Sequence, residues 1–108
     1  MEEVKYTFNK ETRYITRGIN SEVPLSLQVI LWSMIDNLVE GSIESDYLQV
    51  FRFDQKGSVF KVTHSQENPE YKKEYEFDMK ASFWPLIGKS IFCISDVKYS
   101  TMLMSSEY

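Results

Sequence analysis

PLSLQVILWSMIDNLVE, running from Pro24 to Glu40, is the stretch that decides the fold. Leu27, Ile30, Leu31, Met34, Ile35 and Leu38 recur there at i, i+3, i+4, i+7, i+8 and i+11, so six apolar side chains share one helical stripe. Pro24 suits the first helical position, where no backbone N–H is needed, and it steers Val23 into extended geometry. Gly41 is suited to end the helix in the left-handed conformation. Leu25, Val29 and Trp32 widen the apolar stripe on one flank, while Ser26, Ser33, Asp36, Asn37 and Glu40 mark the wet side. No other segment has a comparable helical period. A helix this apolar needs a broad sheet face or a second molecule to cover it, so strands have to supply that surface.

Most of the strands are expected downstream. In Asp46–Asp54, DYLQVFRFD, alternation sets Tyr47, Phe51 and Phe53 on one face and Leu48 and Val50 on the other. Apolar content on both faces predicts a central strand or a curved sheet. Gln55-Lys56-Gly57 supplies a tight hairpin, with glycine free to take positive φ, and Ser58–Gln66 returns. Pro69 cannot donate to a ladder and marks a turn. Tyr71–Phe77 places Tyr71, Lys73, Tyr75 and Phe77 on one side and Lys72, Glu74 and Glu76 on the other. Asp78–Gly88 reads as a helical turn or packed loop around Phe83, Trp84, Leu86 and Ile87, interrupted by Pro85. Lys89–Asp96 is a near-continuous apolar strand, Val97–Tyr99 turns, and Ser100–Ser105 forms a last strand.

Upstream of the helix, Arg13–Arg17 is rich in strand formers and stops at Gly18. Residues 1–12 are either a frayed tail or a short strand carrying Val4, Tyr6 and Phe8, turning through Asn9–Thr12 to pair with it. Asn20-Ser21-Glu22-Val23 leads into the helix. The sum is one α+β domain over residues 1–108. Its main amphipathic helix packs on a bent five- or six-stranded, mostly antiparallel sheet. A small barrel of the Sm or SH3 kind is the more tightly bent version of the same reading.

Composition narrows the function classes. The 108 residues carry a net charge of −4, which disfavours partners held through phosphates or anionic lipid headgroups. Aromatics reach 15%, in keeping with strands, because such rings suit a half-buried pleated surface. Cys93 is the single cysteine, so there is no internal disulfide, and one thiol with one histidine falls short of a metal-ligand set. No cofactor is expected. MEEVKYTFNK lacks the apolar run of a signal peptide, and no stretch approaches the roughly 20 apolar residues that cross a bilayer. These features predict a soluble cytoplasmic protein without membrane contact.

Several separated motifs resemble one family. They are Arg13-Tyr14-Ile15-Thr16-Arg17-Gly18, Val23-Pro24-Leu25 with Leu31-Trp32, Asp46-Tyr47-Leu48-Gln49-Val50-Phe51, and His64-Ser65-Gln66-Glu67. Pro69-Glu70-Tyr71-Lys72 with Tyr75, and Ser100-Thr101-Met102-Leu103 with Glu107-Tyr108, complete the set. Over about residues 13–108 the chain resembles the small Gram-positive bacterial proteins grouped as domain of unknown function 960. The resemblance implies one small cytoplasmic domain and identifies no catalytic or binding residue.

Candidate chemistry is sparse. His64 is the only histidine, with Ser65 beside it and Glu67 nearby. Adjacent strand residues point to opposite faces, so His64 and Ser65 do not meet as base and nucleophile; a surface or edge histidine is expected instead. Glu67, Glu70, Glu74 and Glu76 lack the glycine-containing spacing of a calcium loop and read as a solvated, edge-protecting row. Cys93 lies between Phe92 and Ile94, where a thiol is buried and inert. The four glycines are scattered and form no phosphate loop.

What remains is surface. Trp32, Val29 and Phe83-Trp84 offer surplus apolar area of the kind that marks contact sites. They predict a non-enzymatic protein-interaction or regulatory module, acting through a protein partner or by self-association. The alternative is single-stranded nucleic acid on the Tyr71–Phe77 strand, with Tyr71 and Tyr75 stacking bases and Lys72 and Lys73 holding phosphates.

Overall fold

The helix at the centre of that reading forms as α2, Leu25–Glu40, in a computed structural model that describes residues 6–108. Leu27, Leu31, Met34, Ile35 and Leu38 are buried, and Ile30 is half-buried at the stripe's margin. Its ends differ from expectation. Pro24 is the N-cap rather than the first helical residue: its ψ is 142°, and its carbonyl accepts from the N–H groups of Leu27 and Gln28. Gly41 closes the helix in an extended conformation, φ −83°, not a left-handed one. A Cβ there would lie 3.3 Å from the Asn37 carbonyl oxygen, so the chain leaves the last turn too closely for an easy side chain.

Around α2 stand β1 (Arg13–Ile15), α1 (Arg17–Glu22), β2 (Leu48–Lys56), β3 (Val59–Gln66), β4 (Tyr71–Asp78), β5 (Ser90–Ser95) and β6 (Ser100–Met104). The uncertain segment around Pro85 is a 3-10 turn, Ala81–Leu86, that buries Phe83 and Leu86. A second 3-10 turn, Ser105–Glu107, ends the chain. α1 was not expected. Gly18 reads as a strand terminator, yet Thr16 caps a short helix by accepting from the Ile19 N–H at 3.3 Å, and Ile19 is fully buried.

The six strands form one sheet in the order β1-β6-β5-β2-β3-β4. Four neighbouring pairs are antiparallel, and β2 is interior, as its two apolar faces foretold. The hairpin alternative for β1 does not form among the described residues. β1 runs parallel to β6, tied by Ser100 N–H to the Thr12 carbonyl and Thr16 N–H to the Met102 carbonyl. Residues 6–8 are not a strand; Phe8 instead buries its ring in the core. Val4, in the expected leading strand, lies outside the described residues. The sheet is open, with β1 and β4 at its two edges, so the barrel version of the fold does not hold.

Strand alternation gives the sheet two faces. The front face, under α2, carries Met104, Ile91, Phe51 and His64 in one cross-strand row, and Phe53, Val62 and Tyr75 in the next. Met104, Ile91, Phe51, Phe53 and Val62 form a single buried cluster with Leu27, Leu31, Met34 and Ile35, and Tyr75 packs against it. Arg13 locks β1 to α2: its guanidinium pairs with Asp36, donates to the Phe8 carbonyl at 2.8 and 3.1 Å, and lies 4.7 Å from the centre of the Trp32 ring. The flank of α2 does not widen the buried stripe. Leu25 and Val29 stay 72% and 60% exposed, because the sheet beneath them ends in the three-residue β1.

Candidate interaction surface

The residues singled out from the sequence do not assemble into one site. Tyr71, Lys73 and Tyr75 share the front face, with Tyr71 and Tyr75 half-buried and the Lys73 ammonium 5.1 Å from the centre of the Tyr75 ring. Lys72 points to the opposite face, cross-strand from Ser65. Trp32 is half-buried beneath Arg13, and Trp84 stands exposed on the 3-10 turn. Glu74 is paired with Lys61 at 3.2 Å on the back of the sheet.

His64 is not at the surface or an edge. β3 is an interior strand, and the imidazole is fully buried, stacked on Phe51 at 4.7 Å with Tyr71 edge-on at 5.4 Å. Its Nε2 lies 2.6 Å from the side-chain oxygen of Gln49, which fixes the proton on Nε2. Gln49 donates in turn to the side-chain oxygen of Gln66, and Gln66 donates to the Glu44 and Pro69 carbonyls. The chain of amides satisfies buried polar groups and ties two loops to β2 and β3. Burial away from water lowers the His64 pKa to about 4, so the ring is neutral at pH 7. Ser65 faces the other side of the sheet, as alternation requires. Cys93 is buried among apolar neighbours, which raises its pKa and keeps it a thiol.

The back of the sheet is a different surface. No helix of the described residues packs on it, and its side chains can be read row by row across the strands. Tyr14, Thr101, Ile94 and Leu48 form one row, and Leu103, Phe92 and Val50 the next. Further along come Ser90, Arg52, Thr63 and Glu74, then Asp54, Lys61 and Glu76. The β1-β6-β5-β2 half is therefore apolar and aromatic, and the β2-β3-β4 half is charged.

Three tyrosines stand up from the apolar half. Tyr14 meets Tyr99 edge-to-face at 5.8 Å, and Tyr108 meets Phe92 the same way at 5.6 Å. Tyr14, Tyr99 and Tyr108 remain 56%, 46% and 76% exposed. Tyr108 is held there by its neighbour. The Glu107 carboxylate accepts from the Thr16 hydroxyl at 2.7 Å, the Met104 N–H at 2.8 Å and the Gly18 N–H at 3.2 Å. Those bonds, led by the one from Thr16, lower the Glu107 pKa. A Cβ at Gly18 would sit 2.5 Å from the same carboxylate, so glycine is what lets the C-terminal turn close on α1.

The sequence reading missed this patch, although two signals pointed to it. Leu48 and Val50 oppose Phe51 and Phe53 on β2, and β5 is apolar at consecutive positions. Both patterns say that each face carries apolar groups. Neither says which face the helix leaves open.

Among the described residues, no three His, Cys, Asp or Glu side chains gather as a metal site would need, and no helix is long and apolar enough to cross a membrane. Comparison with known proteins gives a fold and a family. A crystal structure of a protein of unknown function from Enterococcus faecalis superposes with a TM-score of 0.78 at 26% identity, covering 100% of this chain and 98% of that one. No curated protein sequence matches significantly. The family model described as "Staphylococcal protein of unknown function" matches residues 12–107, a span that takes in the motifs noted above except Tyr108, and the chain therefore belongs to the DUF960 family.

Proposed function

We propose that this domain is a non-enzymatic, cytoplasmic interaction module that works through the open apolar half of its sheet. One observation carries the reading: Tyr14, Tyr99 and Tyr108 stand exposed around the face that carries Ile94, Phe92 and Leu48, with Tyr108 on Phe92, and no long helix of the described residues covers it. Exposed tyrosines are the side chains most used as rigid anchors in protein contacts. The state of His64 supports the non-enzymatic part, since its ring is shut away from any substrate and its Nε2 is already engaged.

Site-specific photo-cross-linking in the native cell tests this. A benzophenone side chain in place of Tyr99 is expected to give a discrete covalent adduct. The same group at Lys61 or Glu76, on the charged half of the same face, is expected to give none. Absence of an adduct from Tyr99, or equal adducts from all three positions, overturns the reading.

A second reading, single-stranded nucleic acid on the Tyr71–Phe77 strand, draws its support from the Lys73 ammonium placed over Tyr75. Against it stand the packing of Tyr75 and Phe77 onto the core and the acidic Glu74 and Glu76 on the same strand. It predicts oligonucleotide binding that weakens with salt and with Lys73→Glu; no binding at low salt removes it.

A further inference from the structure

We infer that the occupant of the open face is a second copy of this chain, packed sheet to sheet about a two-fold axis that crosses the strands. The inference rests on the reading that this face is the working surface, and it names the partner. Three observations lead to it: charge, register and area.

The apolar half carries no charged side chain in its two rows, Tyr14-Thr101-Ile94-Leu48 and Leu103-Phe92-Val50. Two chains of net charge −4 can therefore meet there without opposing like charges across the contact. An aromatic and aliphatic patch requires an equally apolar counterpart, and the chain itself presents one.

The register makes the patch self-complementary. A two-fold axis running across the strands keeps β5 over β5 and exchanges the two rows, so Ile94 and Leu48 of one copy meet Phe92 and Val50 of the other. The same rotation carries the strand end that bears Arg52 over the opposite strand end. Arg52 is exposed and has no carboxylate within ion-pair distance among the described residues. Asp96, exposed where β5 ends, lies at that end of the second copy, one strand over from Arg52. Sheets packed in this way keep their strands within about 30° of one another.

The area is sufficient for a weak, specific contact. The three exposed tyrosines, with the half-buried Leu48, Val50, Phe92, Ile94 and Thr101, offer roughly 500–600 Å² per copy. A symmetric contact then removes about 1,100 Å² in total, just above the roughly 1,000 Å² that a specific interface has to clear. Contacts at this low end of interface size belong to the weak class, which sets micromolar dissociation constants as the range to search.

Sedimentation of the full chain over about 1–200 µM, a range that brackets such constants, tests the proposal. The expected result is a rise from the 12.8 kDa monomer to twice that mass. Tyr99→Glu and Tyr14→Glu, at exposed positions the core does not need, should each raise the dissociation constant at least about tenfold. Leu25→Glu, which adds the same charge on the exposed flank of α2, should leave it unchanged. A chain that stays monomeric throughout overturns the proposal, as does a dimer weakened by Leu25→Glu and indifferent to both tyrosine changes. If the chain stays monomeric while a benzophenone at Tyr99 still captures a different protein, self-association fails and the interaction reading stands. If neither occurs, both fall.

Discussion

The front and back of this sheet are made by the same strands and the same alternation, but they end in different states. On the front, Phe51, Phe53, Phe60 and Ile91 are buried with essentially no exposure, and His64 Nε2, Gln49 and Gln66 are joined in one hydrogen-bonded chain. On the back, Val50, Phe92 and Ile94 are only half-buried, screened by one another and by rings at the sheet margin. The front is apolar because something covers it. The back is apolar over half its width although only rings at the sheet margin, such as Tyr108 on Phe92, lie over it. Stability therefore resides on one face, and the other is free to be a contact.

The first way to break this comparison gives the largest effect. Phe51→Ala should cost about 3–5 kcal/mol, since it empties a fully buried ring site beneath the helix. Val50→Ala, one residue away on the same strand but on the open side, should cost about 1 kcal/mol or less. Urea unfolding of the two variants measures the difference. Similar losses for both would mean that the back face is as tightly packed as the front.

Acid should act on the front face next. His64 titrates near 4 in the folded chain and near 6.5 when unfolded. Between those values the unfolded chain binds the extra proton, so stability falls as pH falls. A loss of about 3 kcal/mol is expected from pH 6.5 to pH 4. Denaturation midpoints across that range should show the slope, and His64→Gln should flatten it. An unchanged slope in the variant would place the acid sensitivity elsewhere. The dimerisation proposed for the other face should not follow the His64 titration.

The smallest effect sharpens the back face. Gly18→Ala drives a methyl group against the Glu107 carboxylate and should open the C-terminal turn, with little change in overall stability. The Tyr108 ring would then lose its fixed place on Phe92. Averaged ring signals for Tyr108, with the core spectrum intact, would report that release. A Tyr108 ring still fixed on Phe92 would show that the Glu107 contacts are not what holds it.

Much of the frame was legible in advance. The Leu27–Leu38 periodicity gave α2 to within a residue at its start, and the Gly57 hairpin and Pro69 turn separated β2, β3 and β4. For the segment around Pro85 the pattern allowed a helical turn or a packed loop, and for β2 a central or a curved place; the fold takes the first of each. The missed elements have physical causes. Gly18 looked like a terminator because its close approach to Glu107, 89 residues away, leaves no local trace. For β1 the local pattern leaves open a hairpin with the residues before it or a frayed tail there, whereas its partner β6 lies at the far end of the chain. His64 was placed at a surface because a lone histidine in an alternating strand carries no mark of the two glutamines that bury with it.

From Pro24 onward, local chemistry settled most of which residues coil, which alternate and where the chain turns, because propensity, periodicity and turn geometry act over a few residues; α1 escaped it. It also settled that each strand has two distinguishable faces. Only the assembled fold decided which face α2 covers, that the first strand closes beside the last, and that Tyr14, Tyr99 and Tyr108 rise from one apolar field. Those outcomes depend on contacts between segments far apart in the chain, where the gain comes from mutual burial and no short stretch holds the information alone.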